Sequence, residues 1–563
     1  MNIHLKKIIA LSMSAQALLL GACANKGTDA YYNQLTDKEY QEIMEEAKTT
    51  PYGRYPELIE YTLGKLTGTD NSNMPDGDTY EDNAYTRLLK DKLNIQNVDI
   101  FEGYGDKYDA SVSMAIKSGN IPDLMVVSSY DDVVLLNEYN LIEDLSDAYE
   151  NCMSDTIKDI YASYGDSIIE NVTIDGKLVA IPETNITDGP NLVWLRKDWM
   201  DDLGLEAPKT IYDVEEIVRQ FIEKDPGNNG TGKTVGLVCD PGLCGGCGYS
   251  SEYMLDLIFS TYGAYPKQWI YDSDGNVTYG SIEPEAKEAL GYINSLYMEG
   301  VLDKDFLLRT NSNIIELINN GICGSFFGPW WAPNNPLMGA VSNNPEAEWM
   351  PYLIQTDDDG KTSYYSQNPS YKYVVVRKGF EYPEIACKIV STLFDYARYD
   401  EPDNEEFKNY YKNNVDPTAR PLAINVDYNN ALQICYENIN QALIGAKSPD
   451  TLEFLEKSYY ESCEKYLQDK EQATPEEWAA YTSRVTACAL LDNNKLNVVE
   501  SLFFGKTYTM SQAWWKLEDM EKSTYLKIVT GDLPLDEFDD FVAKWRAGGG
   551  NAIISEVSRQ LEG

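Results

Sequence analysis

Short apolar runs, set off by prolines and polar turns, alternate with longer amphipathic stretches through most of this chain, and that alternation constrains the fold more than any other feature. "IPDLMVVSS" (121–129) offers a buried strand at Leu124 to Val127 just after a proline, and "KLVAIP" (177–182) and "YKYVVVRKG" (371–379) offer two more. Helical stretches lie between them. From Thr210, "TIYDVEEIVRQFI" sets Thr210 and Asp213 as a capping box and places Val214, Ile217, Val218, Phe221 and Ile222 on one face. From Pro284, "PEAKEALGYINSLYMEG" opens with proline at the first helical position, carries Ala286, Ala289, Leu290, Ile293, Leu296 and Tyr297 on one stripe, and stops at Gly300. Strands separated by such helices predict an α/β protein with parallel sheets and helices on both faces. A chain of 563 residues is too long for one hydrophobic core, so two or more lobes are expected, with the last third, from about residue 400, mostly helical.

Charge and the N-terminus bound the function. Lys plus Arg number 46 against 91 for Asp plus Glu, a net charge of −45, which repels phosphate backbones and argues against a nucleic-acid partner. Lys6 and Lys7 precede an apolar run from Ile8 to Leu20 that is short for a membrane span and suits the core of a secretory signal. The run ends in Leu20-Gly21-Ala22-Cys23, which resembles the bacterial lipobox, with cleavage before Cys23 and lipid on its thiol; an ordinary signal peptide with a chance cysteine is the alternative. The small polar stretch Ala24 to Asp29 then serves as a tether. The expectation is an extracytoplasmic protein anchored to the cell membrane by lipid on Cys23. Its one histidine, His4, lies in the segment that would be removed, which excludes imidazole bases and histidine-ligated metals. Chemistry carried by carboxylates alone survives, so glycoside hydrolysis is the enzyme class that remains.

The cysteines and acidic turns give open signals. Ten cysteines less Cys23 leave an odd number, and Cys239, Cys244 and Cys247 have the spacing of three ligands of a plant-type iron–sulfur cluster, with a loop disulfide or free thiols as the alternatives. "DPGNNGTGKTVG" begins like a calcium loop with Asp225, Asn229 and Gly230, but Gly227, Lys233 and Gly236 take ligand positions and no Glu closes it. "YDSDGNVTY" reads as a hairpin turn between Trp269–Tyr271 and Val277–Tyr279. No metal and no cofactor are expected.

"SGNIPDLMVVS", "YNLIEDLSD", "DGKLVAIPE", the run from "VWLRKDW" to "EKDPGNNG", "YGSIEPEAKEALGYINSLYMEGVLDKDF" and "GPWW", in that order, resemble the family 1 extracellular solute-binding proteins of ABC importers, especially the large lipoprotein subgroup of Gram-positive bacteria. "NSNMPDGDTYEDNAYTRLL" resembles the segment after the first strand of that subgroup. The resemblance implies a periplasmic-binding-protein-like fold: two α/β lobes with a hinge and an interlobe ligand cleft. Its expected layout is a signal peptide at 1–22, a lipidated tether and N-terminal extension at 23–57, lobe one at 58–187 plus 368–400, and lobe two at 188–367 plus 401–563. It also implies a monomeric receptor, not an enzyme, that captures an oligosaccharide and delivers it to ABC permease transmembrane subunits. A carboxylate-based glycosidase and a peptide receptor of the same fold are the alternatives.

Since open α/β sheets bind ligand beyond the carboxyl ends of their strands, the loops at 71–78, 101–104 and 128–130 are placed in the cleft, with crossings at 183–190, at 367–371 and near residue 400. A sugar ring presents an apolar face of C–H groups and a polar edge of hydroxyls, so its binder needs flat aromatic plates and short polar partners. The family stacks saccharide on an aromatic of the "GPW" segment. Adjacent residues in extended chain point to opposite sides, so one of Trp330 and Trp331 is expected to stack while the other packs. Trp269 is a candidate second plate or a cover for its hairpin. Tyr104 and Tyr130 are further candidate plates, with a surface or core place as the alternative, and Asn73, Asp78 and Glu183 are candidate hydroxyl partners. Trp194 and Trp199, in a strand that runs into a helix, are read as core.

Overall fold

The computed structural model describes residues 35–68, 73–165, 167–246, 251–401, 404–413 and 415–562. The signal segment, Cys23 and Cys247 lie outside the described residues. Contacts divide the chain into two compact units: unit 1 runs to Glu183 and resumes over Lys372–Val426, and unit 2 comprises Thr184–Tyr371 and the chain from Asp427 onward.

Unit 1 is built on a five-stranded sheet in the spatial order Ile95–Gly103, Ile59–Leu66, Leu124–Val127, Tyr373–Val376, Ile181–Pro182. The first three strands are parallel and the last two pairings antiparallel. The antiparallel pair departs from the all-parallel expectation for a topological reason. Ile181–Pro182 carries the chain out to unit 2 and Tyr373–Val376 brings it back, so two neighbours that leave and return at one place must run in opposite directions. Leu124–Val127 is buried throughout, as an unbroken apolar run in a sheet covered on both faces should be. The helix Ala84–Leu93 starts from an Asn83 capping box and buries Ala84, Tyr85, Leu88, Leu89 and Leu93. Residues 401–426, given above to lobe two, belong by their contacts to unit 1: Phe407 and Tyr410 of the helix Glu405–Lys412 pack on Tyr85, and Lys65 donates to the carbonyls of Thr418, Arg420 and Pro421. Within the N-terminal extension the helix Asp37–Thr49 is tied to this unit by Lys388, which donates to the carbonyls of Ala47 and Thr50 at 2.8 and 2.6 Å.

Unit 2 has a three-stranded antiparallel sheet with Leu192–Arg196 at its centre, between Ser325–Gly328 and Trp349–Tyr352. This sheet also departs from the parallel expectation, since both neighbours run against the central strand. Trp194 and Trp199 are buried, at the strand and in the helix Lys197–Leu203 that follows it. The helix Ile211–Lys224 carries the Thr210–Asp213 capping box and buries Val214, Ile217, Val218 and Phe221. The helix Pro284–Glu299 ends at a left-handed Gly300, and packs on the long helix Tyr508–Thr530 of the C-terminal region. Trp269–Tyr271 and Val277–Tyr279 form the expected hairpin. Among the described residues no helix is long and apolar enough to cross a membrane.

Candidate functional site

The strand Ser325–Gly328 is buried along its whole length and delivers Pro329, Trp330 and Trp331 at its end. Trp194 fixes that end: its ring stacks over Phe326 with centroids 6.5 Å apart, and its indole N–H donates to the carbonyls of Gly328 and Pro329, both at 3.2 Å. Gly328 has no space for a side chain, because a Cβ there would stand 2.7 Å from the Phe326 ring. Past Pro329 the backbone turns, with the Ala332 N–H donating to Pro329 O at 3.1 Å and the Asn334 N–H to Trp331 O at 2.9 Å. Neighbours alternate sides only in extended chain, so in this turn both indoles lean on the same core. Trp330 is 6% exposed, and Trp331 is half-buried against the cluster that contains it.

Trp330 is also held at its rim and on one face. Its indole N–H donates to Asp188 Oδ1 at 3.1 Å, and the Arg484 guanidinium lies 4.5 Å from its ring centre, the same guanidinium standing 4.1 Å from the ring of Tyr459. Burial pushes the Asp188 carboxyl above its usual range, against the opposing pull of the Trp330 N–H and Arg484. Sequence reasoning missed Asp188, Tyr459 and Arg484. Asp188 lies inside the crossing segment already singled out, whereas nothing local marks Arg484 or Tyr459 as neighbours of residue 330.

Trp269, the candidate second plate, is 4% exposed, with Trp514 stacked on it at 6.1 Å and Tyr279 at 5.2 Å. It covers its hairpin, because a ring enclosed by two others has no open face for a ligand.

In unit 1, Tyr104 is the N-cap of the helix Gly105–Ser118, 39% exposed, with the Lys107 ammonium 5.7 Å from its ring. Tyr130 begins the helix Tyr130–Glu138, half-buried with its ring 6.0 Å from Tyr373, and burial raises its hydroxyl pKa. Asn73 is exposed and takes a left-handed backbone conformation with φ of 56°. Asp78 is engaged within its own unit: it accepts from Arg87 at 3.1 and 3.4 Å and from the Tyr410 hydroxyl. Glu183 lies at the first crossing, as expected, and its carboxyl is engaged within unit 1. Its side chain is buried, and Oε1 accepts from Lys372 Nζ at 2.9 Å and from the Asn425 N–H at 3.1 Å. One carboxyl therefore joins residues beside all three crossings of the chain. Burial is the leading influence on it and raises its pKa, while Lys372 pulls the other way.

The Asp225 turn does not fit a cation. Its carboxylate accepts from the N–H groups of Asn229 and Gly230 at 3.0 and 2.8 Å and from the Thr234 hydroxyl at 2.6 Å, donors that would have to be displaced for an ion to bind. These bonds hold its pKa below the usual carboxylate range. Cys239 and Cys244 are free thiols.

Residues 71–395 match the family model described as bacterial extracellular solute-binding protein. The chain is 25% identical over 470 residues to the polygalacturonan/rhamnogalacturonan-binding protein YtcQ of Bacillus subtilis, covering 80% of this chain and 82% of that one. It is 21% identical over 408 residues to lipoprotein LipO of the same organism, covering 70% and 73%. Among solved structures it resembles the S. pneumoniae ABC-transporter substrate-binding protein FusA in complex with kestose, with a TM-score of 0.58 at 13% identity over 89% of this chain and 99% of that one.

Proposed function

Since the chain belongs to the bacterial extracellular solute-binding protein family, we propose that it is the substrate-binding receptor of an ABC importer, capturing an oligosaccharide and delivering it unaltered to the permease. The observation that carries the saccharide part of this reading is the "GPWW" turn, where Trp330 is fixed at rim and face and Trp331, half-buried, is the proposed plate for a sugar. YtcQ, named for binding polygalacturonan and rhamnogalacturonan, and FusA, described with kestose, support a glycan ligand. Lipid on Cys23 would hold the receptor at the membrane, a reading supported by the lipobox-like sequence and by similarity to a protein named a lipoprotein. Tyr104, Tyr130 and Asn73 remain proposed ligand contacts from unit 1; Asp78 and Glu183 serve first as internal partners.

A glycosidase needs a carboxyl with a raised pKa beside its substrate. Burial pushes both Glu252 and Glu521 up to about 7. Glu521 is 2% exposed and accepts from Tyr279 and Ser281 hydroxyls at 3.1 and 2.9 Å inside the core of unit 2, whereas Glu252 is half-buried, so the two readings are separated by assay. Incubation of the purified protein with a panel of oligosaccharides tests the receptor: stoichiometric binding with intact glycan is expected, and accumulating cleavage products would sink it. A thermal-shift panel of peptides beside the sugars tests the peptide-receptor alternative.

A further inference from the structure

Arg484 is an arginine without a carboxylate in a chain where acids outnumber bases by 91 to 46. Arg87, Arg196, Arg219, Arg309 and Arg377 each end on a carboxylate. Arg484 instead lies against two aromatic rings, its guanidinium carbon 4.5 Å from the centre of Trp330 and 4.1 Å from that of Tyr459. Stacking of this kind satisfies the flat faces of the cation and leaves its N–H donors at the rim. Among the described residues no oxygen accepts a hydrogen bond from those donors and no acid forms an ion pair with them. Asp188, the acid whose charge Arg484 feels, accepts at Oδ1 from the Trp330 indole N–H.

The setting is that of the "GPWW" turn itself. Arg484 is half-buried on a wide-turn helical stretch, Thr482–Ala487, that continues the helix Pro475–Tyr481 and packs on Pro333–Leu337 immediately after the tryptophans. Such widened turns recur at functional sites because they re-aim a side chain without ending the helix. A planar guanidinium held against two rings has lost part of its freedom to swing, so its donors are preset for a planar, two-oxygen partner, and carboxylate is that partner. The net charge of −45 does not oppose this at close range, since exposed charges are screened beyond about 8 Å at physiological ionic strength.

We propose that Arg484 is a specificity-determining residue that receives a carboxylate of the ligand, so that the receptor selects oligosaccharides containing uronic acid over neutral ones. This rests on the saccharide-receptor reading. The test is calorimetric titration of wild type, Arg484→Gln and Arg484→Lys with trigalacturonate, with its fully methyl-esterified form, and with neutral kestose, alongside thermal melting of each variant. Wild type is expected to bind the free acid at least tenfold more tightly than the ester. Arg484→Gln should bring the ratio of acid to ester affinity down to about one, and Arg484→Lys should recover only part of the preference because an ammonium lacks the two-pronged geometry. Equal wild-type affinity for acid and ester, an acid preference that persists in Arg484→Gln, or binding of kestose alone would overturn the inference while the receptor stands. Binding of peptides and of no glycan would remove the receptor reading and this inference together. If Arg484→Gln fails to fold, the wild-type comparison of acid with ester decides.

Discussion

Glu183 and Asp188 lie five positions apart on the same crossing segment, both with pKa values raised by burial, yet they stand in different units and do different work. Glu183, in unit 1, is paired in the conventional way: an ammonium and a backbone N–H converge on Oε1, and the three chain crossings are joined at that carboxyl. Asp188, in unit 2, touches an indole N–H and lies near a guanidinium that it does not pair with. A carboxylate fully spent on internal donors is structural, whereas one that leaves a neighbouring cation unspent helps to arrange a surface for something else. Burial alone does not distinguish the two; the partners do.

The sharpest way to break the comparison is on the Asp188 side. Trp330→Ala should lose about 3–5 kcal/mol of stability in denaturant unfolding, as expected for a buried tryptophan, and with it the seat of Arg484. A loss under about 1 kcal/mol would mean that Trp330 is not the keystone of that surface. On the other side, Glu183→Ala should cost roughly 3 kcal/mol, the low end for breaking a buried pair, because Lys372 keeps 30% of its side-chain surface in water. Hydrogen exchange at the crossings should rise in the same variant; protection equal to wild type would remove Glu183 from its joining role.

Trp331→Ala should separate from its neighbour by weakening glycan binding roughly tenfold, about 1.4 kcal/mol, with little loss of stability. Should Trp331→Ala bind as wild type does, its ring carries no sugar. Asp188→Asn should change stability by about 1 kcal/mol at neutral pH, since the amide oxygen can still accept the indole N–H. Its pH dependence is more telling. A carboxyl whose folded pKa is raised stays protonated in the folded protein above the pH at which the unfolded chain ionises. Its favourable contribution is therefore full below the unfolded value near 3.8 and is lost as pH rises through the folded value. The stability difference between variant and wild type should then move in favour of Asp188→Asn as pH rises from about 4, and a flat difference would mean that Asp188 is not held above its usual range. The smallest effect should come from calcium: addition or chelation is expected to leave the melting temperature unchanged, because hydrogen-bond donors already occupy the Asp225 carboxylate. A rise on adding calcium would contradict that.

Elements governed by their own residues were legible in the sequence. The strand at Leu124–Val127, the Thr210–Asp213 cap and the helix from Pro284 to its glycine stop appear as read, because period, cap and stop are local. The family was legible for a related reason, since several such elements recur in one order. Which of the two tryptophans is the more buried was not, because the argument from extended chain did not choose between them and the backbone turns after Pro329. Trp269 was ambiguous until Trp514 and Tyr279 enclosed it. Arg484 was beyond reach, since its meaning depends on Trp330 and Tyr459, which only packing brings to it.

The place of Tyr373–Val376 in the first sheet has a consequence for how the protein is made. That strand lies between Leu124–Val127 and Ile181–Pro182, yet it is synthesised only after Thr184–Tyr371, the first piece of unit 2, has been completed. An emerging chain thus has three parallel strands in hand with the inner edge of the sheet open, and must hold that edge apart from other chains until the fourth partner arrives. Closing so distant a pairing is slow even where it costs little in free energy. For a chain exported from its N-terminus, unit 2's first piece is free to begin folding while unit 1 still waits for its sheet, so the order of birth is the reverse of the order of closure.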